Sequence, residues 1–242
     1  MTQIAEQIRT PVNAADGYIP AVISAADFED ARLRMVNDQV RPMEVNDPRV
    51  VAAMRDLRRE DAVPASQKPF AYADRTLPLG HGRYLLQPMI TARLVQMMQV
   101  EPGQRVLVIG AATGYLASVI SRLGAEVFAL EDEDALISLG RTYTASNAPD
   151  VVWRKGPLVN GDSKDAPFDL IVFAGAISDI PQFCSAQLAP TGRVAGVMRP
   201  ENGTSSAFLA EAEESGGWST RFFFDAATPF LPPFEKPAAF AL

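Results

Sequence analysis

The stretch Val106–Tyr115, reading V-L-V-I-G-A-A-T-G-Y, constrains what this chain can fold into more than any other. An apolar run, Val106–Ile109, enters a Gly-x-x-x-Gly turn. It leaves into a helical pattern, with Tyr115, Leu116, Val119, Ile120 and Leu123 at mostly three- and four-residue spacings. Strand, glycine turn and helix in that order open a doubly wound nucleotide-binding sheet, whose ligand lies beyond the carboxyl ends of the strands. Gly110 and Gly114 let the backbone turn tightly and come close to a ligand. Val127–Leu130 reads as the next strand and ends in Glu131, 17 residues past Gly114. An acid at that place can accept hydrogen bonds from both ribose hydroxyls.

The glycine spacing selects among nucleotides. A dinucleotide fingerprint needs glycine at its first, third and sixth positions. Counted from Gly110 those positions hold Gly110, Ala112 and Tyr115, a poor fit for NAD. No Gly-Lys-Ser/Thr follows, so the turn is not a P-loop. Gly110 and Gly114 with Ala112 between them resemble motif I of the S-adenosylmethionine-dependent methyltransferases, in which the middle position is glycine and an acid stands where this chain has Val108.

Downstream of residue 105 the chain alternates. Strands are expected at 105–109, 126–130, 151–154, 169–174 and 192–198, and helices at 114–123, 133–146 and about 179–188. Alternation with helices of this length implies an α/β fold with a mostly parallel sheet and helices on both faces. Phe168–Ala174 is almost wholly apolar, as a strand covered on both faces should be. Ahead of the sheet lies an α-rich lead-in. Ser24-Ala-Ala-Asp27 reads as a capping box for a helix over about 24–39, with Phe28, Ala31, Met35, Val36 and Gln39 on one face. Asp47-Pro48 starts a second helix and Pro88 a third, whose inward side carries Ile90, Leu94 and Met97 or Met98. Residues 58–84, with three prolines and two glycines, read as loop. Residues 208–213 read as a helical turn or two and Trp218–Phe224 as a late strand with Phe222–Phe224 in the core. Ala238–Leu242 reads as a short final strand. Residues 1–23 read as a loosely packed arm, and 24–242 as one domain: a lead-in to 101, a core to 200, then strands and a tail.

Composition narrows the function. The 242 residues carry a net charge of −7, which argues against a nucleic-acid backbone as partner, since nothing neutralises phosphates in bulk. No apolar stretch approaches the roughly 20 residues that span a bilayer, and no secretory signal is visible. Cys184 is the only cysteine and His81 the only histidine, too few soft ligands for a zinc site. One cysteine suits a reducing cytoplasm and a small buried hydrophobe.

Many short matches in order add up to a family. Met35-Val-Asn-Asp-Gln39, Asp47-Pro-Arg-Val50, Ala53-Met54, Arg59-Glu60, Val63-Pro64, Ala71-Tyr72 with Asp74, and Leu77-Pro-Leu-Gly80 resemble the protein-L-isoaspartate O-methyltransferases. So do Gln87-Pro88, Val106–Tyr115, Ala166-Pro-Phe-Asp169, Ile180-Pro181 and Gln187-Leu188, so that the similarity covers roughly residues 30–200. Phe224-Asp-Ala226 and Leu231 to Lys236 look like the tail of a diverged bacterial branch. The resemblance implies a Rossmann-like core with S-adenosylmethionine at the switch point and S-adenosylhomocysteine as product. It also implies methyl transfer to the carboxylate of an isoaspartyl residue in a protein or peptide, whose ester then collapses to a succinimide.

On that resemblance Gly110, Ala111, Ala112, Thr113, Gly114 and Tyr115 wall the methionine and ribose, and Glu131 with Asp132 holds the ribose. Gly156, Pro157 and Leu158, in place of the family's Gly-Asp-Gly, border the adenine. Pro157 has no N–H and would contribute only its carbonyl or ring. The family's substrate-site motif, Thr-Ile-Ser-Gln-Pro, reads Tyr84-Leu85-Leu86-Gln87-Pro88 here, so Leu86 replaces a serine hydroxyl beside Gln87. That replacement is expected to weaken isoaspartyl methylation. His81, in a glycine loop near the substrate opening, is a further candidate. Arg58 and Arg59 read as surface charges. A methyltransferase for another acceptor, such as a small carboxylate, and a silent cofactor-binding protein on the same scaffold remain alternatives.

Overall fold

The computed structural model describes residues 24–201, 203–214 and 216–236. The expected arm over 1–23 and final strand over 238–242 lie outside them. Helix α1 (Ala25–Met35) begins at the Ser24 cap, whose box with Asp27 is formed in both directions. α2 (Pro48–Asp56) begins at Asp47, whose carboxylate accepts from the Arg49 N–H. A two-stranded antiparallel hairpin, β1 (Leu77–Gly80) and β2 (Arg83–Leu85), precedes α3 (Pro88–Met98). Then come β3 (Arg105–Ile109), α4 (Tyr115–Ser121), β4 (Glu126–Glu131), α5 (Asp134–Asn147) and β5 (Val152–Lys155). β6 (Phe168–Ile177), α6 (Phe183–Gln187), β7 (Leu188–Met198), β8 (Ser206–Ala212) and β9 (Trp218–Asp225) complete the chain.

The seven-stranded sheet has the order β5-β4-β3-β6-β7-β8-β9. Strands β3 to β7 run parallel, and β8 and β9 are antiparallel additions. The order reverses at β3, which pairs with β4 on one side and β6 on the other. The loops after β3 and β6 therefore open a crevice at the carboxyl edge of the sheet. The two-residue period of β3 divides the core. Val106 and Val108 join the cluster under α3, α4 and α5, while Leu107 and Ile109 join the one under α6 and the tail. β6 lies at the middle with almost every residue buried, matching its continuous apolar sequence.

Several expectations are corrected. The helix expected over 24–39 is α-helical only to Met35; a π turn, Val36–Val40, and a 3-10 turn, Arg41–Met43, follow, and Pro42 with left-handed Glu44 ends the run. The loop expected over 58–84 holds two 3-10 turns and the β1–β2 hairpin, whose glycines supply the positive φ that its bend needs. The helix expected from 179 starts only at Phe183, and it must stop at Gln187 because Leu188 already pairs with Phe168. Residues 208–213 are not helical: Ser206–Ala212 is held between β7 and β9, so strand pairing overrides helix-forming residues. Phe222 and Phe223 are exposed, not core, because β9 is the last strand of the sheet; Phe224 alone packs inward. Cys184 is fully buried, and burial pushes its thiol up to about 12.

Gly140 in α5 faces the Trp153 indole, and a Cβ there would overlap the ring. The ring cannot easily yield, because its Nε1–H donates to Thr144 Oγ1 at 3.0 Å. Alanine in place of a mid-helix glycine normally gains about 0.5–1 kcal/mol, but overpacking costs roughly 1–3 kcal/mol. Gly140→Ala is therefore expected to lower the urea midpoint. A higher midpoint would show that the Trp153 packing does not control this position.

Candidate functional site

The turn after β3 folds onto the end of β4. The N–H groups of Gly110 and Ala111 both donate to the Leu130 carbonyl, each at 3.0 Å. Gly110, Ala112 and Gly114 all have positive φ, and Gly114 caps α4. Ala112 is the strained member, because alanine rarely adopts φ +50°. Its N–H is repaid by Glu131, whose Oε2 accepts it at 2.9 Å.

Glu131 is completely buried. Besides Ala112 it accepts from the Asp132 N–H at 2.9 Å. Its largest partner comes from the hairpin. Arg83 Nε lies 3.1 Å from Oε2 and Arg83 Nη2 lies 3.0 Å from Oε1, a bidentate fork. The same guanidinium reaches Asp132 Oδ1. Arg83 is itself only 4% exposed. Burial raises the Glu131 carboxyl above its ordinary range, and the Arg83 charge and Ala112 N–H oppose that rise.

The tail closes the other side of the turn. Residues 229–234 run along the end of β6: Ala176 N–H donates to Pro229 O, Leu231 N–H to Ala176 O, both at 2.9 Å, and Ser178 N–H to Phe234 O at 3.0 Å. The Phe234 ring stands edge-on to Phe173 at 5.1 Å. Leu231 fills the hollow left by two glycines. A Cβ at Gly110 would stand 2.7 Å from Leu231 Cδ2, and one at Gly175 2.8 Å from its Cγ. Pro232 meets the hairpin in the same way, 2.7 Å from a Cβ at Gly82.

The remaining expected residues are placed as follows. Leu86 is buried, and its carbonyl accepts from Arg59 Nη2. Arg59 is fully buried, which corrects its reading as a surface charge. Its Nε donates to Ala71 O at 2.7 Å and its guanidinium lies 4.9 Å from the Tyr115 ring centroid, while Arg58 stays exposed. Burial holds the Arg59 guanidinium below its ordinary pKa. The Gln87 carbonyl starts α3 by accepting from the N–H and Oγ1 of Thr91. Thr113 Oγ1 donates to Ala62 O at 2.6 Å, tying the glycine turn to the segment that carries Arg59. Tyr115 points toward Arg59 and Tyr143. Gly114 faces Trp153 and Thr144. Gly156 donates to the Glu131 carbonyl at 3.2 Å, Pro157 precedes a 3-10 turn, and Leu158 joins the core. His81 occupies the hairpin tip, half exposed, with Nδ1 3.1 Å from Glu133 Oε2. Leu86, Ala111, Ala112, Thr113 and Tyr115 line one cavity of only about 20 Å³.

In this arrangement the crevice is closed to S-adenosylmethionine, the cofactor that the family resemblance implies. A ligand of that size needs several hundred Å³. Both oxygens of Glu131 are engaged by protein donors, and Leu231 stands against Gly110. Arg83 and Leu231 carry no local sequence signal for this role, and the distance along the chain conceals both.

The family model for protein-L-isoaspartate(D-aspartate) O-methyltransferase matches residues 32–218. A protein-L-isoaspartate O-methyltransferase of Methylorubrum extorquens (strain PA1) is 39% identical over 177 residues, covering 73% of this chain and 78% of the relative. One from Rhodopseudomonas palustris (strain HaA2) is 38% identical over 184 residues, covering 75% of each. Among solved structures, a protein-L-isoaspartate O-methyltransferase superposes with a TM-score of 0.69 at 21% identity, over 82% of this chain and 65% of that one. A Plasmodium falciparum β-aspartate methyltransferase in complex with S-adenosyl-L-homocysteine superposes with a TM-score of 0.67 at 16% identity, over 84% of this chain and 97% of its own. At those identities the two structures speak to the fold, which is Rossmann-like.

Arg59 bridges the carbonyls of Ala71 and Leu86, both of them buried residues. Each orphaned buried acceptor costs about 1–3 kcal/mol. Arg59→Ala is thus expected to destabilise the fold by roughly 2 kcal/mol or more in chemical denaturation. A loss below about 0.5 kcal/mol would mean that Arg59 does not hold the Leu86 segment.

Proposed function

The chain belongs to the protein-L-isoaspartate O-methyltransferase family, and we propose that it transfers a methyl group from S-adenosylmethionine to the side-chain carboxylate of isoaspartyl residues in a protein or peptide. The observation that carries this reading is the extent of the family match. It includes the Leu86-Gln87 segment, the glycine turn and Glu131 in one continuous span. The fold supports it by bringing Leu86 and the turn to one cavity at the strand-order switch.

A carboxylate acceptor is already ionised at neutral pH, so alignment and exclusion of water matter more than a general base. Leu86, Ala111, Ala112 and Thr113, which form much of the cavity wall, contain no titratable side chain and suit that demand. Arg59, through the Leu86 carbonyl, positions the acceptor segment, and Gln87 fixes the start of the helix behind it. The net charge of −7 supports a partner other than nucleic acid, and the single cysteine supports a cytoplasmic setting. Among the described residues no helix is long and apolar enough to cross a membrane.

Leu86 should limit the rate. If the serine hydroxyl of the family motif orients the acceptor carboxylate, leucine cannot replace it, and an unpaired buried polar group costs about 1–3 kcal/mol. That is roughly a ten- to hundredfold loss. Labelled methyl from S-adenosylmethionine should enter an isoaspartyl peptide slowly, and its aspartyl twin not at all. Leu86→Ser should raise the isoaspartyl rate by about tenfold or more. No incorporation by either protein would refute the proposed activity, and no gain from Leu86→Ser would refute the role given to position 86.

A further inference from the structure

We propose that the β1–β2 hairpin and residues 229–236 form a two-part latch that occupies the cofactor's place in the crevice, so that opening must precede cofactor entry. The inference rests on the reading of the reaction given above, because it takes Glu131 and Gly110 as the cofactor's contacts.

Each half of the latch imitates part of a ligand. Arg83 presents a guanidinium fork to the acid at the end of β4, where ribose hydroxyls would donate. Leu231 lays an apolar side chain against Gly110 and Gly175, at the bare backbone that a nucleotide would approach. Pro232 touches the hairpin at Gly82, so the two halves meet over the crevice. The turn between Gly110 and Gly114 is formed and Glu131 ends the next strand, yet only about 20 Å³ remains in the cavity at the turn.

The attachment is of a kind that can open. The hairpin is a separate two-stranded sheet, not part of the seven-stranded one. Among the described residues the tail's one strand-type bridge to the main sheet is Ala176 to Phe230; a few backbone hydrogen bonds, the buried Leu231, the Phe234–Phe173 contact and the Lys236–Asp179 ion pair complete its attachment. Pro232 and Pro233 beyond the bridge are exposed. Segments outside the main sheet open locally at lower cost than its central strands. When the competent state is a minor one, apparent affinity falls by its fractional population. Loosening either half should therefore tighten cofactor binding, the reverse of what substitution in a binding site normally does.

The test is calorimetric titration of the full chain with S-adenosylhomocysteine, comparing the native protein with Leu231→Ala and Arg83→Gln. Two variants are used because freeing the buried Glu131 carboxylate could impair folding of the second, whereas the first removes only apolar contact. Weak native binding, tightened about tenfold or more by Leu231→Ala, is expected. Hydrogen exchange adds a readout independent of affinity: the Leu231 and Ser178 amides, bonded to Ala176 and Phe234 in the latch, should lose protection when the native protein is saturated. Equal affinities for native and Leu231→Ala, with tail protection unchanged by ligand, would overturn the latch and leave the reaction standing. Absence of binding by all three proteins at millimolar ligand would overturn the latch and the proposed reaction together.

Discussion

A carboxylate with no exposure to water must be compensated where it stands, and Glu131 is such a group. Burying an ion without partners costs several kcal/mol. The chain meets that cost with donors from three places: the backbone of the glycine turn at Ala112, the backbone after β4 at Asp132, and the guanidinium of Arg83. This fixes the geometry around it. Ala112 keeps its left-handed conformation because its N–H is needed, and the hairpin keeps its place because Arg83 is needed. Removing one partner from such a cluster strands the rest, so these segments cannot vary independently.

How much of this is legible in the sequence depends on how local the cause is. β3, its glycine turn and Glu131 can be read because strand, turn, helix and following acid lie within about 27 residues and each obeys a short-range rule. The caps at Ser24 and Asp47 are legible for the same reason. What cannot be read is decided across the fold. Ser206–Ala212 has helix-forming residues, but β7 and β9 on its two sides make it a strand. The hairpin at 77–85 is hidden by its proline and two glycines, which in isolation say only that the chain turns. Arg59 reads as surface because arginine usually is. It is buried because two carbonyls 12 and 27 residues away need a donor that reaches both. Arg83 meets Glu131 from 48 residues away, a separation that no periodicity reveals.

The candidate site therefore combines a sheet framework with a filling of side chains brought in from the hairpin and the tail. The sheet order and the switch at β3 are those of a Rossmann-like sheet. Leu86, Arg83 and Leu231 occupy the crevice. Burying a leucine side chain contributes about 1.5–3 kcal/mol, and the Arg83–Glu131 fork adds a charge-assisted pair. Those magnitudes are small enough for a bound ligand to offset. A crevice filled by the chain itself is thus compatible with a cofactor-dependent enzyme, provided that the ligand recovers the hydrogen bonds of Glu131 as Arg83 gives them up.

A crystal structure of the native chain grown with S-adenosylhomocysteine tests that exchange most directly. The account predicts ligand ribose on the Glu131 carboxylate, Arg83 turned away from it, and Leu231 withdrawn from Gly110, with the seven-stranded sheet unchanged. Ligand bound while the Arg83–Glu131 fork and the Leu231 contact both persist would contradict it, because the cofactor would then use another part of the molecule.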